Sequence, residues 1–191
     1  MRTPPAAPGV PRCLPAFCLV CLLLAAIDMS RADGLFAGYP QRIAAGAANA
    51  VVYEQKPGYF ARHGEPLGEE EAEVVFEPEQ ITIVRGAPAT PLAPGQALSP
   101  VYAPLGGDSL AVPTGQVFLR FRAGETVAAH REALQQAGFT ITRELDVAPQ
   151  GGWVCASSGS IAEALSGLSA LRSIDGVESV EPQLLMQRAW R

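Results

Sequence analysis

From Gly115 onward, apolar and polar positions recur with two different periods, and the switches between them lay out six elements. Val117, Leu119 and Phe121 alternate with Phe118, Arg120 and Arg122, the period of a strand with one buried face. Gly124 and Glu125 turn the chain. Thr126 then caps a helix running to Ala137, with Val127, Leu134 and Ala137 as its inner stripe and Gly138 in the left-handed terminal position. Phe139, Ile141 and Leu145 predict a second strand, and after a turn over Val147 to Gly151 a third follows at Trp153 to Ala156. Ser160-Ile161-Ala162-Glu163 reads as a capping box, in which the serine accepts from the Glu163 amide and Glu163 reaches back. Ile161, Ala164, Leu165, Leu168 and Leu171 continue it as one apolar helix face. Gly167 costs such a helix about 1 kcal/mol against alanine, which suggests close approach to the sheet. Asp175-Gly176 turns into a last strand, Val177 to Val180, ended by Pro182. The order predicts an α+β fold: a ferredoxin-like βαββαβ antiparallel sheet with two helices.

The first half is less regular. Asp33 to Asn49 is rich in Ala and Gly and reads as loose chain, and Val51 to Tyr53 as a short strand. Ala72 to Phe76 and Gln80 to Val84 predict a hairpin across Glu77-Pro78-Glu79. From Gly86 to Thr114 the prolines Pro88, Pro91, Pro94, Pro100, Pro104 and Pro113 predict a linker or long surface loop, since proline propagates neither a helix nor a central strand. Residues 33–114 are thus expected as a Pro/Gly-rich, partly β extension, 115–182 as the folded domain and 183–191 as a tail.

Residues 1–32 have the layout of an export signal. Arg2 and Arg12 precede an apolar run from Cys13 to Ile27, and Ser30 and Ala32 suit cleavage before Asp33. The run is shorter than the roughly 20 residues of a spanning helix, and Pro15 interrupts it. The expectation is a secreted or periplasmic protein with no membrane association after cleavage. Cys13, Cys18 and Cys21 leave with that segment, so Cys155 has no internal partner and reads as a small buried hydrophobe, with an intermolecular disulfide as the alternative.

Charge narrows the partners. The formal net charge is -5, Lys56 is the only lysine, and no basic stripe with interleaved aromatics occurs, which argues against nucleic acid. Glu69, Glu70, Glu71 and Glu73 lack the spacing of a calcium loop and read as a solvated face. No His/Cys cluster has zinc spacing and no glycine loop has nucleotide-binding spacing, so no metal or cofactor is expected.

Catalytic motifs fare no better. Gly107-Asp108-Ser109-Leu110 spells the nucleophile motif of GDSL esterases, but it lies in the proline-rich stretch and no histidine follows His130. His130 adjoins the stripe of Val127 and Leu134 and reads as structural; His63, before Gly64, reads as an exposed turn residue. Glu178 and Glu181 are the nearest paired carboxylates, on a sheet with no cleft around them. The expectation is a protein that is not an enzyme.

Three passages carry a family resemblance: Arg120-Phe121-Arg122-Ala123-Gly124-Glu125, then Leu168 to Val177 with its L-x-x-L-x-x-x-x-G-V spacing, then Val177-Glu178-Ser179-Val180-Glu181-Pro182. In this order they resemble the propeptide (inhibitor I9-like) domain of subtilisin-like serine proteases, over about the last 75 residues. The resemblance implies docking of the open sheet face on surface helices of a protease, with the following segment adding a strand in the active-site cleft. Gln183, Leu184, Leu185 and Met186 would be that segment, and Glu178 and Glu181 rim contacts. No catalytic-domain motifs follow in this sequence. The expectation is therefore an inhibitor or folding chaperone acting in trans, the alternatives being a cell-envelope interaction module or the detached pro-region of a secreted subtilase.

Overall fold

The computed structural model describes residues 34–46, 50–64, 72–88 and 92–187. The stretch expected to be an export signal, the run Glu69 to Glu71 and residues 188–191 lie outside them. Among the described residues nine strands pair into one curled, mostly antiparallel sheet: β1 (Arg42–Ala45), β2 (Val51–His63), β3 (Ala72–Phe76), β4 (Ile81–Arg85), β5 (Ala97–Pro104), β6 (Ala111–Phe121), β7 (Phe139–Glu144), β8 (Gly151–Ala156) and β9 (Val177–Met186). The path across the sheet is β3-β4-β2-β5-β6-β8-β7, with β1 added beside β2 and β9 beside β6. The helices are short: α1 (Arg131–Gln136, after a 3-10 turn at Val127–His130), α2 (Ile161–Ser166) and α3 (Leu168–Arg172).

The fold class expected from the sequence, a ferredoxin-like βαββαβ sheet behind a loose extension, is overturned. β6 to β9 do not make a sheet of their own, because β5 continues the hydrogen bonding from β6 into the N-terminal strands through Tyr102 opposite Ala111. The proline-rich stretch expected as a linker supplies β5 and the start of β6. Proline is tolerated there at breaks in the ladder. Pro100 borders a register shift in which Gln55 pairs with Tyr102 and Phe60 with Pro100, so that Lys56-Pro57-Gly58-Tyr59 bulges out of β2. Pro113 borders another shift, between Pro113 and Val117 on β6 opposite β9. Pro182 does not end the last strand either; it pairs opposite Val117, and β9 runs on to Met186.

Both faces of the sheet bury apolar side chains. On the helix face, Val117, Leu119 and Phe121 of β6 pack with Val127, Leu134, Phe139, Val154, Leu168, Leu171 and Val180. Further along that face Ile43, Tyr53, Tyr102 and Ala111 meet Ile161 and Leu165 of α2. Among the described residues the opposite face is closed only at the N-terminal end, where Ala61, Val74, Ile81, Ile83, Val101 and Val112 form a cluster with Leu185 against it. The segment before β1, expected to be loose, is anchored: Tyr39 donates to the Leu98 carbonyl and Tyr102 to the Pro40 carbonyl, each at 2.8 Å. Burial of these phenols pushes Tyr39 up to about 12 and raises Tyr102 as well.

Local signals were followed with two changes. Thr126 caps the 3-10 turn by accepting from the Ala129 amide, and Ser160 accepts from the Glu163 amide as expected. Glu163 does not reach back to the Ser160 amide; its carboxylate takes the Ser158 hydroxyl at 2.6 Å, and that serine oxygen accepts from Ser160 N. The apolar face over Ile161 to Leu171 is cut into α2 and α3 at Gly167, where a Cβ would stand 2.7 Å from the Phe139 ring.

Candidate binding surface

The helices cover one face of β7, β8, β6 and β9, and among the described residues the other is open. Because side chains alternate, burying Val117 and Leu119 sends Gln116, Phe118 and Arg120 to the open side. Burying Val154 likewise sends Trp153 and Cys155 there. Register then sets Phe118 directly opposite Trp153, with ring centroids 5.4 Å apart and planes tilted by 59°. A register shift between Ile141 and Arg143 places Arg143 opposite Trp153, and its guanidinium lies 5.7 Å from the centre of the indole. Such a bulge re-aims a side chain that strict alternation would send to the other face. Thr142 donates to Gln116 at 2.7 Å, tying β7 to β6 across the edge of this patch. Phe118 and Trp153 are each half-buried, resting on one another and on the sheet.

The predicted rim residues lie along β9 beside this patch. Glu181 pairs opposite Phe118, and Glu178 meets Arg120 at 2.9 Å in an exposed ion pair. The predicted cleft segment sits elsewhere. Gln183, Leu184, Leu185 and Met186 are strand residues: Pro113 pairs with Leu184, Val112 with Leu185 and Ala111 with Met186. Leu184 packs with the cluster around Tyr102, Leu185 with the one around Val101, and Thr114 donates to Gln183 at 2.8 Å. These four residues are part of the fold, where the sequence had suggested a tail. Alternation fails to reveal this because Pro182 interrupts it.

Cys155 is half-buried on the open face between Gln116 and Thr140, not sunk in the core as expected. His130 closes the 3-10 turn before α1. Its ring stacks on Phe121 at 3.9 Å and Nε2 meets Glu125 at 2.7 Å. His63, expected in an exposed turn, is instead the last residue of β2, with Nε2 2.9 Å from the Ser99 hydroxyl. Desolvation pushes this imidazole down to about 4, and Gly64 had disguised a strand end as a turn. A Ser–His contact invites a catalytic reading, but Ser99 is wholly buried within the sheet.

The GDSL-like residues Asp108 and Ser109 line an open cleft of about 660 Å³ with Lys56, Tyr59 and Glu73. There Lys56 donates to Asp108 at 2.8 Å; this hydrogen bond, with the charge of each partner, raises the amine and lowers the carboxyl. Neither histidine serves Ser109, since His63 faces Ser99 and His130 faces Glu125. Among the described residues no group of three or more His, Cys, Asp or Glu side chains is arranged to hold a metal, and no helix is long and apolar enough to cross a membrane. No protein-family model, curated protein or solved structure matches the chain.

Proposed function

We propose that this chain is an exported, non-catalytic binding protein that docks through the open face of β7, β8, β6 and β9, and that its partner is a subtilisin-like serine protease. The observation that carries the surface is the Phe118–Trp153 pair, two large half-buried rings on the solvent side of a sheet whose other side is filled. Aromatic side chains in such positions supply large contact area at low entropic cost and dominate many interfaces. Arg143 over the indole and the Arg120–Glu178 pair give the patch a polar rim. The partner class rests on the three motif passages, two of which, Arg120 to Glu125 and Val177 to Pro182, border this face.

Contact through the face differs from insertion of a tail into the cleft. Residues 183–186 are engaged in the sheet, and freeing them would break the pairing of β9 with β6. The protein therefore meets the body of the protease, and an enzyme with a blocked active site binds as well as a free one. Calorimetric titration of the secreted chain against a broad-specificity subtilisin, untreated and irreversibly sulfonylated at its serine, tests this. Equal dissociation constants support body docking. Binding lost on blocking points to the cleft, and no binding to either enzyme overturns the partner class.

A further inference from the structure

A second surface has a different chemistry, that of an unfinished sheet. Among the described residues β1 is bonded to β2 alone and β9 to β6 alone, and the curl brings these two free edges near each other. The successive antiparallel pairings make β1 and β9 run in the same direction, yet among the described residues no backbone hydrogen bond joins them. Between them lies a groove of about 420 Å³. Ala44, Gly46 and Ala50 form one wall, β9 from Val177 to Val180 the other, and Arg172 of α3 stands at the rim.

We propose that this groove binds an extended peptide segment of a partner protein, which joins the sheet along the free edge of β9 at Val177 to Val180. An open strand edge is a row of alternating N–H and C=O groups, and the ligand that satisfies such a row is another extended backbone. Ala44, Gly46 and Ala50 are small, which leaves room on the β1 side for the backbone of the incoming segment, whose side chains point above and below the sheet. Charge selects further. Glu178 is compensated by Arg120 at 2.9 Å, whereas Arg172 has no ion-pair partner among the described residues, which favours an acidic residue in the segment. The groove shares Glu178 with the rim of the Phe118–Trp153 patch but is lined by neither ring, and the proposal does not depend on the patch's role.

The test begins with the free protein. The Val177 amide is held by the Ile174 carbonyl, so amide hydrogen exchange should show the edge-facing amides between Glu178 and Val180 exchanging far faster than those of Val117 to Leu119 on the central strand β6. Uniform protection along β9 would mean that its edge is already occupied, and would overturn the proposal. A phage-displayed library of random linear heptapeptides, selected against the full chain, should then yield proline-free peptides with at least one Asp or Glu. N-methylation of alternate amides of a selected peptide should abolish its binding, Arg172→Glu should weaken it tenfold or more, and Trp153→Ala should leave it unchanged. Selection of no peptide, or of peptides indifferent to N-methylation and to Arg172→Glu, contradicts the assignment.

Discussion

Gly167 and Phe139 touch so closely that a Cβ on Gly167 would sit 2.7 Å from two carbons of the ring and would force one of them to shift. The backbone of Gly167 is right-handed, with φ of -80°, so the glycine is needed for space and not for its torsion freedom. Propensity alone predicts that Gly167→Ala stabilises the chain by about 1 kcal/mol. Overpacking against a ring that is itself buried works the other way and costs about 1–3 kcal/mol. Gly167→Ala is therefore expected to lower the urea midpoint, and Gly167→Ala combined with Phe139→Leu to lose less than the sum of the two single changes. A stabilised single mutant would show that the ring moves aside freely.

Leu184 and Leu185 point to opposite faces of β9 and pack into two different clusters. Cutting the chain after Pro182 removes both, along with the pairing of Met186 to Ala111. Burial of two partly covered leucines is worth about 2–4 kcal/mol, and unfolding measurements should show a loss of that order. A terminal segment that merely lay on the surface would leave the midpoint within experimental error.

His63 makes stability pH-dependent. Its folded value of about 4 lies below the ordinary 6.5, so the unfolded chain takes up the proton first as pH falls. Stability contributed by the neutral imidazole is complete above pH 6.5, declines between 6.5 and 4, and is gone below. The whole step is about 3 kcal/mol. Urea midpoints at pH 7.5, 5.5 and 4.5 should fall in that order, and His63→Gln should remove most of this slope. An unchanged slope in the variant would assign it to carboxylates instead.

The second half of the chain was largely legible because its signals are local. Period-two alternation marks β6 and β8, a capping serine starts α2, and Gly138, with φ of +84°, takes the left-handed position after α1. The first half was not, because what makes β5 a strand is its neighbours. Val101, Tyr102 and Ala103 are buried by pairing with a strand some fifty positions earlier, and the bulge at Lys56 to Tyr59 accommodates Pro100. Proline rules describe an uninterrupted ladder, and this one is interrupted. The same gap misled the fold class: the passage from β5 to β6 rests on Tyr102 opposite Ala111, which leaves no local mark on the sequence. As for the candidate surface, Phe118 and Trp153 were visible separately as outward positions of two strands. Only the register, with Arg143 re-aimed by a bulge, assembles them into one patch.

The most direct measurement is the affinity of the protein for a subtilisin when Phe118→Ala and Trp153→Ala are combined, read beside the same pair's effect on folding. Both rings lie on the open face, so the double variant should remain folded, with a far-UV spectrum like that of the parent. Loss of two central aromatic contacts should then weaken binding by about 10- to 100-fold, equivalent to about 1.4–2.8 kcal/mol. A folded double variant that binds as tightly as the parent would contradict the open face as the docking surface.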